Sequence, residues 1–292
     1  MSKNVITSYK GFDKNMQCRG FQYEVGKEYE MDGEIKCCNR GFHACKSPFE
    51  VWDYYDMLNS RYAEVEQTGK IDEEEKSTKV CSSHIKIKAE LKLADIINIG
   101  VEWLKDITSP SKVKADGALN DNGNRKKQIG SSGNSAQIGS SGNSAQIGSS
   151  GNSAQIGSSG YSAQIGSSGD YAQIGSSGDY AQIGSSGNSA QIGSSGDYAQ
   201  IGSSGNSAQI GSSGDYAQID STGEDSVIMC AGYKSKAKAK IGSWITLAEW
   251  EWSDKKKRGV PVCVKTEYVD GENIKADTWY QLKNGKFVEV KE

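Results

Sequence analysis

Cys18, Cys37, Cys38, His43 and Cys45 crowd into 28 residues near the N-terminus, and they are the side chains best suited to chemistry. Thiolates and an imidazole are the ligands that zinc selects, in a tetrahedral site. The matched set is Cys18, Cys38, His43 and Cys45, because Cys37 and Cys38 are adjacent and only one of them serves easily. No Cys-x-x-Cys knuckle is present. The same residues admit a thiol enzyme, with Cys45 or Cys18 as nucleophile and His43 as base. His43 and Cys45 sit two apart, so on a strand they share one side. They also admit plain packing, since buried free cysteines behave as small hydrophobes. Packing, with no bound cofactor, is the expectation. The chain has two histidines, His43 and His84, which limits acid–base chemistry.

A second set recurs with a period. From Gly130 to Ile219 a nine-residue unit, Gly-Ser-Ser-Gly-Asn/Asp-Ser/Tyr-Ala-Gln-Ile, runs ten times without a gap. Two positions vary, and they vary together. Asp is always followed by Tyr: Asp170 by Tyr171, Asp179 by Tyr180, Asp197 by Tyr198, Asp215 by Tyr216. Asn is always followed by Ser, and Tyr161 with Ser162 is the hybrid. If two units make a coil, alternate units share a face. One face then stacks Tyr180, Tyr198 and Tyr216, with Asp179, Asp197 and Asp215 at its turns. The other holds the lone Tyr171. Tyrosine gives rigid contact area with a polar tip, which suits an interface. The first face is the candidate binding face, for a basic protein partner or for a second copy in a homo-oligomer.

The elements that must position these residues follow from the same unit. Side chains alternate across a strand. In Ser/Tyr-Ala-Gln-Ile-Gly, Ala and Ile therefore point inward and the rest outward. Ser-Ser-Gly-Asn/Asp is turn chemistry, with Gly free to take positive φ. One unit buries too little to fold alone, and stacking gives a continuous Ile and Ala ladder. With strands ~4.8 Å apart, five coils make a rod of roughly 24 Å.

Residues 1–110 read as an α+β head. Strands are expected at 5–9, 21–25, 62–69 and 80–91, and a hairpin of 27–31 with 34–38 about Asp32-Gly33. Ser47-Pro48-Phe49-Glu50 starts a helix expected to reach about residue 58. A second helix is expected over 95–106, with Ile96, Ile99, Trp103 and Leu104 on one face. A charged turn joins the strands at 72–76. Residues 111–129 form a linker or an imperfect first coil, and 130–219 the solenoid. Residues 220–292 form its cap and a C-terminal β segment. There Ser226-Val227-Ile228 and Ser235-Lys236-Ala237 keep the Ala-Gln-Ile place as the repeat decays. Residues 241–252 are expected to hide the last coil's open edge. The fold class is mainly β: a nonapeptide-repeat β-solenoid of two units per coil, with an N-terminal α+β domain and a β-rich C-terminal cap.

Composition narrows the function. The 292 residues carry a formal charge of −3, and the repeats hold four Asp and no Lys or Arg, so the remainder is nearly neutral. That argues against a nucleic-acid partner. No apolar run is long enough to span a membrane, and no signal pattern opens the chain. Seven cysteines, an odd number, suit reduced thiols in a bacterial cytoplasm. Calcium-binding nonapeptides need an Asp in every unit, whereas here four units of ten have one. Lys234, Lys236, Lys238 and Lys240 alternate with Ser and Ala. They read as protection of an edge strand in preference to a phosphate contact.

Several motifs together carry a resemblance. Tyr9-Lys10-Gly11-Phe12, Cys18-Arg19-Gly20-Phe21-Gln22, Cys38, Gly41-Phe42-His43-Ala44-Cys45, Pro48 and Tyr54-Tyr55 resemble the N-terminal domain of an uncharacterised bacterial and phage-associated family. Its members continue into a Gly-rich repeat array. They end in a segment similar to Lys238-Ala239-Lys240-Ile241-Gly242 and Lys275-Ala276-Asp277-Thr278-Trp279-Tyr280. The resemblance implies a phage or mobile-element setting and no established activity. The expectation is a non-enzymatic protein that engages a macromolecular partner through its solenoid and head, with inhibition of a host or defence protein fitting that setting. The alternatives are an enzymatic Cys/His head positioned or multimerised by the rod, and a structural or adhesive repeat protein.

Overall fold

The computed structural model describes residues 5–75, 77–108 and 128–291. The expected linker lies largely outside them, as does Lys76 of the expected charged turn. Each repeat contributes one short strand, Gln-Ile-Gly-Ser, for example Gln182–Ser185. Strands pair in parallel with the unit two places on, Ile165 beside Ile183 and Ile183 beside Ile201. Two units therefore make a coil, and about seven turns cover residues 128–247. One sheet contains the strands from Gln128–Ser131 to Lys236–Ala239, the other those from Gln137–Ser140 to Trp244–Ser253. The ladder starts two residues before the first complete unit. It also outlasts the repeats, because Val227 keeps the register of Gln209 and Lys236 that of Gln218.

The interior holds Ala and Ile as expected, and one residue more. The Ser that ends each strand also points inward. Ser149, Ser167, Ser185 and Ser203 bury hydroxyls that have no hydrogen-bond partner among the described residues. The turns differ from expectation as well. Positive φ falls on the Ser or Tyr before Ala, from Ser135 at 56° to Tyr216 at 56°. This left-handed backbone disfavours residues with a Cβ. It is held by a bond to the next coil, such as Tyr180 N–H to the Asp197 carbonyl at 2.8 Å. The turn glycine is needed for space instead. A Cβ on Gly178 would overlap the Gly160 carbonyl of the preceding coil. Asn and Asp bond along the rod, since Asp179 Oδ1 accepts from Asp197 N–H at 2.9 Å and Asp197 Oδ1 from Asp215 N–H at 2.8 Å.

Antiparallel pairing ends the coil. Trp244–Ser253 pairs with Arg258–Tyr268, and Lys236–Ala239 meets Tyr280–Lys283, itself in a hairpin with Lys286–Glu289. Val269, Ile274, Tyr280 and Leu282 close the apolar core at that end. The four alternating lysines are engaged there. Lys236 and Lys238 lie over the Trp279 ring, Lys238 pairs with buried Asp220 at 3.1 Å, Lys240 pairs with Asp277 at 2.7 Å, and Lys234 lies over Tyr216 and Tyr233.

The head is a small antiparallel ring of strands. Ile6–Phe12 pairs with Arg61–Glu73, which pairs with Lys79–Leu91; Phe42–Cys45 closes the ring between Lys79–Leu91 and Ile6–Phe12. The expected strand at 34–38 reduces to a bridge between Lys36 and Arg40. The expected helix at 47–58 is a 3-10 turn, Phe49–Asp53, and Ser47 does not cap it. The Ser47 hydroxyl bonds Gln146 of the solenoid instead. The second helix forms over Leu93–Ile107. It lies on the first sheet, which becomes the head-side sheet. Phe49 is fully buried there, wedged between Gly100 of the helix and Gly166 of the solenoid; a Cβ on either glycine would overlap its ring. Polar contacts accompany the apolar ones. Gln164 donates to Asp53, Gln182 to the Trp52 carbonyl, and Gln200 to Asp56.

Candidate functional site

The sequence brings two regions forward, and they lie apart. The head cluster is organised by the strand Phe42–Cys45. Alternation sends Phe42 and Ala44 into one apolar core, while Cys45 joins the core beneath the helix. Burial, and then the Glu50 carboxylate, push the Cys45 thiol up, away from the reactive thiolate. His43 is half-buried. Burial first, then Lys10, Arg19 and Lys79, hold its imidazole below its ordinary value. Its Nε2 accepts from Cys38 N–H at 3.0 Å, the role of a neutral ring. Cys38 sits in the left-handed region at φ 66°, with Sγ 3.5 Å from Lys79 Nζ. Cys18 Sγ accepts from Tyr55 OH at 2.9 Å and lies 3.5 Å from Lys10 Nζ. Cys37 turns away, its thiol donating to the Asp72 carbonyl at 3.2 Å, and burial and Asp72 raise it to about 11.

Cys18, Cys38, His43 and Cys45 all line one cavity. They do not form the zinc set weighed from spacing. Among the described residues no three His, Cys, Asp or Glu side chains converge as a metal would require. Each thiol is turned to a different partner, and the accepting nitrogen of His43 is taken by a backbone N–H. In the dyad of His43 with Cys45, the cysteine is 3% exposed at the cavity's edge, and burial pushes its thiol up, which disfavours the thiolate a nucleophile needs. The residues that spacing did not single out are Lys10, Arg40, Tyr23, Tyr29 and Lys79, which complete the cavity walls from separate strands and loops. Lys10 and Tyr55 stood in the quoted motifs, yet nothing in their spacing shows that both meet Cys18.

On the solenoid, the tyrosine stack forms. Tyr180, Tyr198 and Tyr216 lie with centroids 4.9 Å apart and rings within 3° of parallel. Tyr161 at one end and Tyr233 at the other extend the row with tilted and edge-on contacts. Partial desolvation, then the charges of Tyr180, Tyr216, Asp197 and Asp215, raise the Tyr198 phenol above its ordinary value. The placement differs from expectation. These tyrosines occupy the corner before each head-side strand, because their left-handed backbone ends the turn; the sheet face beyond that corner is covered by the head. Tyr171 stands alone at the opposite corner, 63% exposed. Asp179 and Asp197 line the tyrosine corner, exposed, while also carrying the inter-coil bonds.

No helix among the described residues is long and apolar enough to cross a membrane. No curated protein and no solved structure matches the chain. Residues 6–99, which include the whole cavity, match the family model of a domain of unknown function (DUF7666), so the N-terminal part of this chain is similar to an uncharacterised family.

Proposed function

We propose that the protein is a non-enzymatic binding protein whose rod presents the tyrosine corner to a macromolecular partner. The observation that carries this reading is the row itself: Tyr180 and Tyr198 stay 44% and 43% exposed while stacked, beside exposed Asp179 and Asp197. Stacked rings with carboxylates at their margin suit an arginine-bearing protein surface, through cation–π and charge-assisted contacts. Asn-Ser units build the same coil, so folding alone does not require the Asp-Tyr pair. The enzymatic-head alternative is weaker, because of its two candidate nucleophiles Cys45 is buried and held neutral and Cys18 Sγ is engaged by the Tyr55 hydroxyl. A phage setting and inhibition of a host or defence protein rest on the motif resemblance alone, and a cytoplasmic location on the odd number of cysteines and the lack of a signal pattern.

The test is a triple change of Tyr180, Tyr198 and Tyr216 to Ser, copying neighbouring units. Crosslinked capture from bacterial lysate with wild-type protein, followed by mass spectrometry, identifies the partner; its affinity for both proteins is then measured. The expected result is an unchanged circular dichroism spectrum and at least tenfold weaker binding, the loss of about 1.4 kcal/mol or more. Unchanged affinity, with sedimentation showing unchanged self-association, overturns the assignment.

A further inference from the structure

We propose that the head cavity is a nucleotide-binding site, taking a ligand with phosphate, ribose and a planar base. This inference does not rest on the tyrosine row. The cavity is about 980 Å³, within the ~300–1,000 Å³ common for small-molecule sites. Its walls combine cations with aromatic rings.

Lys10 supplies the first argument. Its side chain is buried, with the residue 4% exposed. Nζ donates to the His43 carbonyl at 2.9 Å, lies 3.5 Å from Cys18 Sγ, and sits 5.5 and 5.3 Å from the Phe12 and Tyr23 ring centres. Among the described residues no carboxylate pairs with it. A buried ammonium without a carboxylate is costly, and a methionine would fill the same space at no such cost. An anion entering the cavity would supply the missing charge. Lys79 also lines the cavity, over the Tyr54 ring at 4.4 Å and 3.2 Å from Glu74.

Arg19 supplies a second, independent argument. It sits in the two-residue turn between Gln17–Cys18 and Phe21–Gln22, with φ 51° at Arg19 and 78° at Gly20. Two successive positive φ values favour Asn-Gly or Gly-Gly, and arginine is strained at the first position. Arg19 lines the cavity, is exposed, and has no side-chain hydrogen bond or ion pair among the described residues. A strained arginine at a cavity rim, with no side-chain partner to hold it there, points to a ligand contact. Guanidinium suits phosphate because its donors form a planar fork.

The rings and acids complete the match. Phe21 lines the cavity 46% exposed, its ring in edge contacts with Tyr23, Tyr29 and Phe42, and offers its open surface to a base, while Tyr54, 48% exposed, carries Lys79 over one ring face. Two carboxylates are also present. Glu28 is committed to Lys86 at 2.7 Å and lies 3.4 Å from His84. Glu30 lines the cavity with no ion pair among the described residues, and its carboxylate can only accept hydrogen bonds, as from a sugar hydroxyl.

Isothermal titration calorimetry of the full chain against the four ribonucleoside diphosphates tests the proposal, with the matching nucleoside and inorganic phosphate as half-ligands. At least one diphosphate is expected to bind with a Kd below about 1 mM, and both half-ligands at least tenfold more weakly. Arg19→Gly distinguishes a ligand contact from a structural role. Glycine relieves the turn, so melting temperature is expected to hold or rise while affinity falls about tenfold. Lys10→Met is expected to fold and to lose binding. The inference is overturned if no diphosphate binds, if phosphate alone binds as tightly as the diphosphate, or if Arg19→Gly binds as the wild type does.

Discussion

The solenoid's two sheets are built from the same strand, Gln-Ile-Gly-Ser, and meet different surroundings. On the head-side sheet Gln146 and Gln164 are buried, and Gly148, Gly166, Gly184 and Gly202 have head side chains where a Cβ would stand. On the other sheet Gln155, Gln173 and Gln191 are exposed, and Gly157, Gly175 and Gly193 have nothing within 4 Å of that position. The open sheet continues into Val227, Met229 and Trp244, all about half exposed. One residue type thus has two roles. Glycine on the covered sheet makes a smooth floor for Phe49, Ile97 and Leu93, while on the open sheet it is dispensable to this chain's own packing. What the sheets share lies between them, where Ile and Ala from both fill one core.

The largest expected effect should therefore ignore the difference between sheets. Ile183 on the covered sheet and Ile192 on the open one are both buried. Ile183→Asp and Ile192→Asp each place an unpaired carboxylate in the core and should each cost about 4 kcal/mol or more. Denaturant titrations check this. A tolerated Ile192→Asp would mean that the open sheet is not half of a shared core.

The next effect should separate the sheets. Gly166→Ala drives a methyl into the Phe49 ring, which Gly100 blocks from behind. That overpacking should cost about 1–3 kcal/mol. Gly175→Ala enters open space and should change stability by no more than about 0.5 kcal/mol. Equal losses would show that the strand glycine is needed by the coil itself, and the head would lose its part in the explanation.

Much of this architecture was legible because the period is strict and Ile and Ala are the apolar residues in every unit. The inward Ala and Ile, two units per coil and the stacking of Tyr180, Tyr198 and Tyr216 followed from that pattern. The inward serines were not legible, since Ser185 reads as turn chemistry until the coil encloses it. Nor was the left-handed conformation at Tyr180, because glycine two residues earlier is the ordinary candidate. Which sheet the head covers could not be read at all: the two sheets have the same sequence, and the choice is made by Phe49, the helix and the Gln contacts. In the head, Ile96 and Leu104 marked the helix. Ser47-Pro48 misled, because Phe49 is drawn into the solenoid contact and only one short turn remains. The Cys/His motif marked the cavity, but its cations and rings come from separate strands and loops that no spacing rule connects.

The smallest expected effect asks whether hydrogen bonds, as well as shape, hold the head in place. Gln200 Oε1 accepts from Met57 N–H at 3.1 Å, and its Nε2 donates to Asp56 at 3.0 Å. Gln200→Ala removes both bonds and leaves the Met57 N–H to find water at a partly closed boundary. A loss of about 1 kcal/mol is expected. Gln191 holds the same strand position on the open sheet, where its amide is exposed to water, so Gln191→Ala should fall within about 0.5 kcal/mol of the wild type. Hydrogen exchange gives the sharper readout, because it reports opening of the head contact separately from unfolding of the coil. Gln200→Ala should speed exchange at Met57 and Leu58 and leave Ile201 and Ile183 protected. If exchange at Met57 is unchanged, the glutamine row contributes no hold on the head, and the apolar seat around Phe49 carries the contact alone.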